Sequence, residues 1–151
     1  MWKGVKDVFS IACLEYFKMK STAISYMRKS STSQRDNDGF PRQQKSIEGY
    51  AIAHRLHIEQ EFLDDGISGT KIASQRPGLA AAFNYLAEND VKILLVENAS
   101  RIGRDLIVSE LIYSQCREMG ITVICCSSGT ELSNLDEDNH MSVLLRQLQS
   151  A

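Results

Sequence analysis

The sequence lacks most of what would staple, anchor or span. It has only 2 prolines, Pro41 and Pro77, so no proline-rich linker divides it. Its 4 cysteines, Cys13, Cys116, Cys125 and Cys126, show neither CxxC nor Cys/His ligand spacing, and they read as reduced core thiols of a cytosolic protein. Long apolar runs are missing as well. The longest near the start, residues 8–17, is interrupted by Glu15 and has no small-residue cleavage site after it. It is therefore a poor signal peptide and too short to cross a bilayer. The expectation is a soluble cytoplasmic chain with no membrane partner. There is also no excess of positive charge: 17 Lys and Arg against 19 Asp and Glu leave a formal net charge of -2. A domain that grips nucleic acid with its whole surface is usually basic. Any phosphate chemistry must then be local.

What is present is enough for one ordinary domain, since 151 residues at 43% hydrophobic content can bury a real core. Residues 22–28 (TAISYMR) form a β-compatible run, followed by a polar loop over 30–39. A helix follows over 42–56, where Ile47, Tyr50, Ala51 and Ala53 have helical spacing. Residues 58–63 (IEQEFL) alternate as a strand, 64–69 (DDGISG) carry turn chemistry, and Pro77 opens a helix through Leu86. Residues 91–96 (VKILLV) look like a strand buried on both faces of a parallel sheet. An amphipathic helix over 105–119 ends at Gly120, and 121–126 (ITVICC) give a fourth strand. Strands alternating with helices predict an α/β fold: an open, mostly parallel central sheet with helices on both faces, Rossmann-like and three-layered. In such sheets ligands gather beyond the carboxyl ends of the strands.

Three clusters fall at those ends. Tyr26, Arg28 and Ser30, two apart, share one face of an extended strand, with Ser31 pointing the other way. Ser68, Gly69 and Arg76 lie on the loop after the second strand. Arg101 and Arg104 follow the third, where a loop enters a helix. Arginines converging on a serine suit phosphoryl transfer, because a guanidinium holds phosphate with a planar fork and keeps its charge. Taken singly, each arginine reads as a solvated surface residue and Ser30 as a loop-capping hydroxyl.

The motifs carrying these residues resemble a known family. YMRKSSTSQ at 26–34 is similar to the Y-x-R-x-S start of the resolvase/invertase group of serine recombinases. FLDDGISG followed by RPGL at 76–79 resembles the group's second signature, and SRIGRD at 100–105 its third, usually D-R-x-x-R. The resemblance runs from about Ala23 to the end. It implies a resolvase-like catalytic domain over 22–133, a preceding extension over 1–21, and over 134–151 the start of a long dimerisation helix, with the sequence-reading DNA-binding domain absent. It further implies that Ser30 forms a 5′-phosphoserine link to DNA, that Arg28, Arg76, Arg101 and Arg104 bind the phosphate, and that Gln43 is an active-site glutamine. Tyr26, Ser68, Asp64 and Asp65 would support them. Double-stranded DNA is the implied partner, cut, exchanged and rejoined by a homodimer assembling to a tetramer, without ATP, metal or other cofactor.

The third motif has Ser100 where the group commonly has aspartate, which leaves the acid/base role open; one of Asp64 and Asp65 matches the other acidic position, and spacing does not choose between them. His54 and His57, at the end of a helix, read as a helix-terminus charge effect, and His140 has no partner nearby in sequence. The Met141, Leu144, Leu145 and Leu148 stripe reads as an interface. Two competing readings are a phosphate-ester hydrolase, which would need a metal or a water-activating group, and a non-catalytic nucleic-acid-binding domain that has kept the fold.

Overall fold

The computed structural model describes residues 21–31 and 39–134; the expected extension before β1 and the expected dimerisation helix lie outside the described residues. In chain order the elements are β1 (Ser21–Lys29), α1 (Phe40–Ala53), β2 (Leu56–Asp65), a 3-10 turn (Ala73–Gln75), α2 (Pro77–Asn89), β3 (Ile93–Val96), α3 (Ala99–Ile102), α4 (Leu106–Glu118), β4 (Thr122–Cys125) and β5 (Thr130–Glu131). The sheet runs β2-β1-β3-β4-β5, parallel through its first four strands, with β5 antiparallel to β4.

The chain crosses one way from β1 to β2 and the other way onward to β3, and the right-handed rule for parallel crossovers then assigns their helices to opposite faces. On one face, Ile47 and Ala51 of α1 pack with Ala23, Met27 and Leu95. On the other, Leu79, Phe83 and Leu86 of α2 and Ile112 and Cys116 of α4 cover Ile24, Leu94 and Val123. Leu79, Leu86 and Leu94 are fully buried, each contributing about 2 kcal/mol of transfer free energy. The three-layer α/β expectation holds.

Pro77 opens α2, and Asp105 caps α4 by accepting from the Ile107 and Val108 amides at 2.9 and 3.1 Å. Three details depart from the sequence reading. The two-residue edge strand β5 and the single turn α3 carry no periodic signal of their own. The third strand begins at Ile93 instead of residue 91, Val91 already being buried before it. Strand β2 does not alternate evenly: its pairing with β1 steps from Ile58 to Gln60, so Ile58 packs on the α1 side while Phe62 packs on the α2 side. An extra residue in a strand reverses which face the following side chains take.

The chain order places β2 on one side of β1 and β3 on the other, making the carboxyl ends of β1 and β3 the point where the sheet's winding reverses. A crevice forms at such a point.

Candidate active site

Ser30 is the residue immediately after β1, and it is buried. The carbonyls on its approach are fastened from every neighbouring loop. The Arg28 carbonyl accepts from Gln43 Nε2 on α1 at 3.1 Å and from Arg101 Nη1 on α3 at 3.0 Å. Gln43 Oε1 also accepts from the Arg28 amide at 3.2 Å, so one buried glutamine satisfies both sides of that residue's backbone. The Lys29 carbonyl accepts from the Gly66 and Ile67 amides at 2.8 and 3.2 Å. The backbone leading to Ser30 is thus held by α1, α3 and the turn after β2.

Around it lies a layer of arginines. Arg28 is fully buried; its Nε, Nη1 and Nη2 donate to the carbonyls of Arg101, Ile67 and Ser100 at 3.3, 2.9 and 2.7 Å. Arg76, also fully buried, donates to Lys71, Arg101 and Gly69 carbonyls at 3.0, 3.3 and 3.0 Å. Burial, together with the neighbouring charges of Arg76, Arg104 and Arg101, pushes the Arg28 guanidinium down to about 10. It remains a cation at neutral pH. A concentration of buried positive charge at a strand end creates a local positive potential.

Arg101 is tied to Glu97: Nε and Nη2 both lie 3.2 Å from Glu97 Oε2, while Arg42 Nη2 lies 2.9 Å from Glu97 Oε1. Arg104 is exposed. It lines a groove of about 600 Å³ with Ser30, Ser31, Gly66, Ile67, Ser68, Lys71 and Gln75. The structure thus brings Ser30, Ser68 and Arg104 to one surface and sets Arg28, Arg76, Arg101 and Gln43 behind it. Because β1 ends at Lys29, strand alternation no longer separates the two serines, and Ser31 lines the same groove as Ser30.

The two aspartates that spacing left undecided occupy different worlds. Asp64 is buried; its Oδ1 accepts from the Gly78 amide at 2.7 Å and its Oδ2 from the Leu79 amide at 3.1 Å and the Tyr26 hydroxyl at 2.8 Å. It caps α2 from the neighbouring strand, satisfying amides that a helix start leaves unpaired. Burial raises the Tyr26 hydroxyl against the opposing pull of Arg76, keeping it protonated and able to donate to Asp64. Asp65 is exposed, 3.7 Å from Lys29 Nζ. Neither lines the groove.

Glycine matters at one loop. A Cβ on Gly69 would lie 2.8 Å from Arg28 Nη2 and 3.0 Å from Arg104 Cγ, so only glycine lets the loop after β2 approach both arginines. Ser68 turns its hydroxyl to Thr70, 2.9 Å from Oγ1 and 3.2 Å from the amide. Ser100 Oγ donates to Asn98 Oδ1, and Asn98 caps α3. Sequence reasoning passed over Glu97, Lys71 and Gln75; for Glu97 the available signal was an acid ending the apolar run ILLVE. Among the described residues no group of three or more His, Cys, Asp or Glu is placed to hold a metal ion, and no helix is long and apolar enough to cross a membrane.

The family model described as Resolvase, N terminal domain, matches residues 23–151. No curated relative matches the chain. Among solved structures, the N-terminal catalytic domain of TP901-1 integrase superposes with a TM-score of 0.71 at 19% identity, over 86% of this chain and 96% of that one. A resolvase family site-specific recombinase from Streptococcus pneumoniae gives 0.67 at 20% identity, over 87% and 89%. The C-terminal catalytic domain of ISC1926 TnpA, an IS607-like serine recombinase, gives 0.57 at 25% identity, over 85% and 79%.

Proposed function

The chain belongs to the resolvase N-terminal-domain family, and on that premise we propose that it cleaves and rejoins DNA in site-specific recombination with Ser30 as nucleophile. The observation that carries the reading is the position of Ser30: at the reversal point of the sheet, opening on a groove with Arg104 and Lys71 and backed by buried Arg28, Arg76 and Arg101.

Ser30 Oγ attacks a backbone phosphorus as the bond from phosphorus to the 3′ oxygen breaks. The products are a 5′-phosphoserine and a free 3′ hydroxyl. Rejoining reverses the step: a 3′ oxygen attacks the phosphoserine and Ser30 leaves. Charge on the non-bridging oxygens is met by guanidiniums already in place, which need no reorganisation when the charge develops. The enzyme–DNA bond conserves the phosphodiester energy, so no ATP is consumed. With the negative overall charge, affinity comes from phosphate contacts at this one rim and is salt-sensitive and sequence-blind.

A nicked duplex that traps the intermediate tests the reading. Wild-type chain incubated with it at low salt gives a protein–DNA band that survives denaturation and the presence of EDTA. Ser30→Ala gives none, while Ser31→Ala retains it. Loss in both variants alike, or strict dependence on Mg²⁺, sinks the assignment in favour of a hydrolase.

A further inference from the structure

Glu97 is a buried carboxylate that the proposed chemistry leaves without a task. It follows directly on β3, at the same reversal point as Ser30, and it is 5% exposed. Its Oε2 receives Nε and Nη2 of Arg101 at 3.2 Å each and Nδ2 of Asn98, the cap of α3, at 3.3 Å, and its Oε1 receives Nη2 of Arg42 at 2.9 Å. Arg42 stands on α1 beside Gln43, and Arg101 stands on α3. Both helices send a donor to a single atom, the Arg28 carbonyl: Gln43 Nε2 at 3.1 Å and Arg101 Nη1 at 3.0 Å.

We propose that Glu97 is a positioning residue for strand cleavage, clamping α1 to α3 so that Gln43 and Arg101 close together on the backbone that carries Ser30. The inference rests on Ser30 being the nucleophile. Three features make a fastening role the fitting one. The carboxylate is nearly enclosed, so it does not reach DNA directly. Each of its oxygens serves a different helix, so removing its charge releases both. And Arg101 presents a fork: with two of its nitrogens held by Glu97, the third is aimed at the Arg28 carbonyl. Without the carboxylate, Arg101 is a buried cation with no counter-charge from this residue, and it turns toward solvent or toward another carbonyl. Loss of aim at a group one step removed from the reacting atoms lowers the rate of the chemical step more than it lowers affinity.

The test is adduct formation by the full chain on the nicked duplex, measured as a rate at saturating DNA and as the DNA concentration giving half that rate. Glu97→Gln, which keeps the shape and removes the charge, is expected to lower the saturating rate about 100-fold while moving the half-saturating concentration by less than about 2-fold. Glu97→Asp, which keeps the charge, is expected to recover the rate to within about 10-fold of wild type. In the free protein, the Arg101 Nε–Hε resonance and the Ser30 amide should both shift in Glu97→Gln and return toward wild type in Glu97→Asp. A Glu97→Gln enzyme as fast as wild type overturns the proposal, as does an equal loss in rate and affinity that Glu97→Asp fails to rescue. If the wild-type chain forms no adduct at all, the nucleophile assignment fails. The clamp is then judged by the resonances: unmoved Arg101 and Ser30 signals overturn it, and shifted, Asp-rescued signals uphold it.

Discussion

Arginine appears in this domain in two settings that the motifs do not distinguish. Arg28 and Arg76 are fully buried, and each guanidinium nitrogen donates to a backbone carbonyl of the segments after β2 and β3. Arg104, three residues beyond Arg101 in the same motif, is exposed on the groove wall beside Ser30. The difference teaches that charge here does two jobs. The inner guanidiniums stitch three loops into one surface and hold positive potential beneath it; the outer one lines the groove onto which Ser30 opens. An Arg-rich motif read only as a set of phosphate ligands misses the stitching, because its partners are carbonyl groups, which any residue supplies.

The contrast can be broken from the inside first. Arg28→Ala removes three charge-assisted donors from the Arg101, Ile67 and Ser100 carbonyls. Urea unfolding is expected to show a loss of about 3 kcal/mol, the lost bonds outweighing relief of repulsion among neighbouring arginines. Arg76→Lys keeps the charge but cannot span the Lys71, Gly69 and Arg101 carbonyls with one ammonium. About 2 kcal/mol should go, and a near-neutral outcome would mean that charge alone matters there. Gly69→Ala sharpens the comparison from the glycine that touches both kinds of arginine. Its Cβ would press on Arg28 Nη2 and Arg104 Cγ, for an expected cost of about 1–3 kcal/mol and a slower adduct-forming rate. Arg104→Ala is the mildest for the fold, within about 0.5 kcal/mol of wild type. Its mark should be on DNA instead: the slope of log affinity against log salt falls by about 1 in gel shifts at graded ionic strength. A large stability loss from Arg104→Ala would erase the distinction between inner and outer arginines.

Much of this was legible beforehand, and the rest failed for identifiable reasons. ILLV at 93–96, the proline opening α2 and the aspartate before α4 mark their elements directly, since continuous apolar runs and caps depend on neighbours in sequence. The gathering of the candidate residues at strand ends followed from the strand–helix alternation. The choice between Asp64 and Asp65 did not, because it turns on which face β2 presents at its end, and the step in pairing between Ile58 and Gln60 reverses that face midway. Helix α3 is a single turn with no room for a period, so Arg101 read as a loop residue. Ser31 looked turned away only while β1 was taken to continue past Lys29. Glu97 was an acid after a hydrophobic run until Arg42 and Arg101 arrived from distant elements to define it.

The central claim is that one hydroxyl, that of Ser30, carries the bond to DNA. The most direct measurement is to isolate the denaturation-resistant adduct formed on the nicked duplex, digest both protein and DNA, and locate the modified residue by tandem mass spectrometry. The account predicts a nucleotide joined through its 5′ phosphate to Ser30, with Ser31 and Ser68 on the same groove unmodified. A phosphate bond to Ser31, to Ser68 or to an aspartate would contradict it.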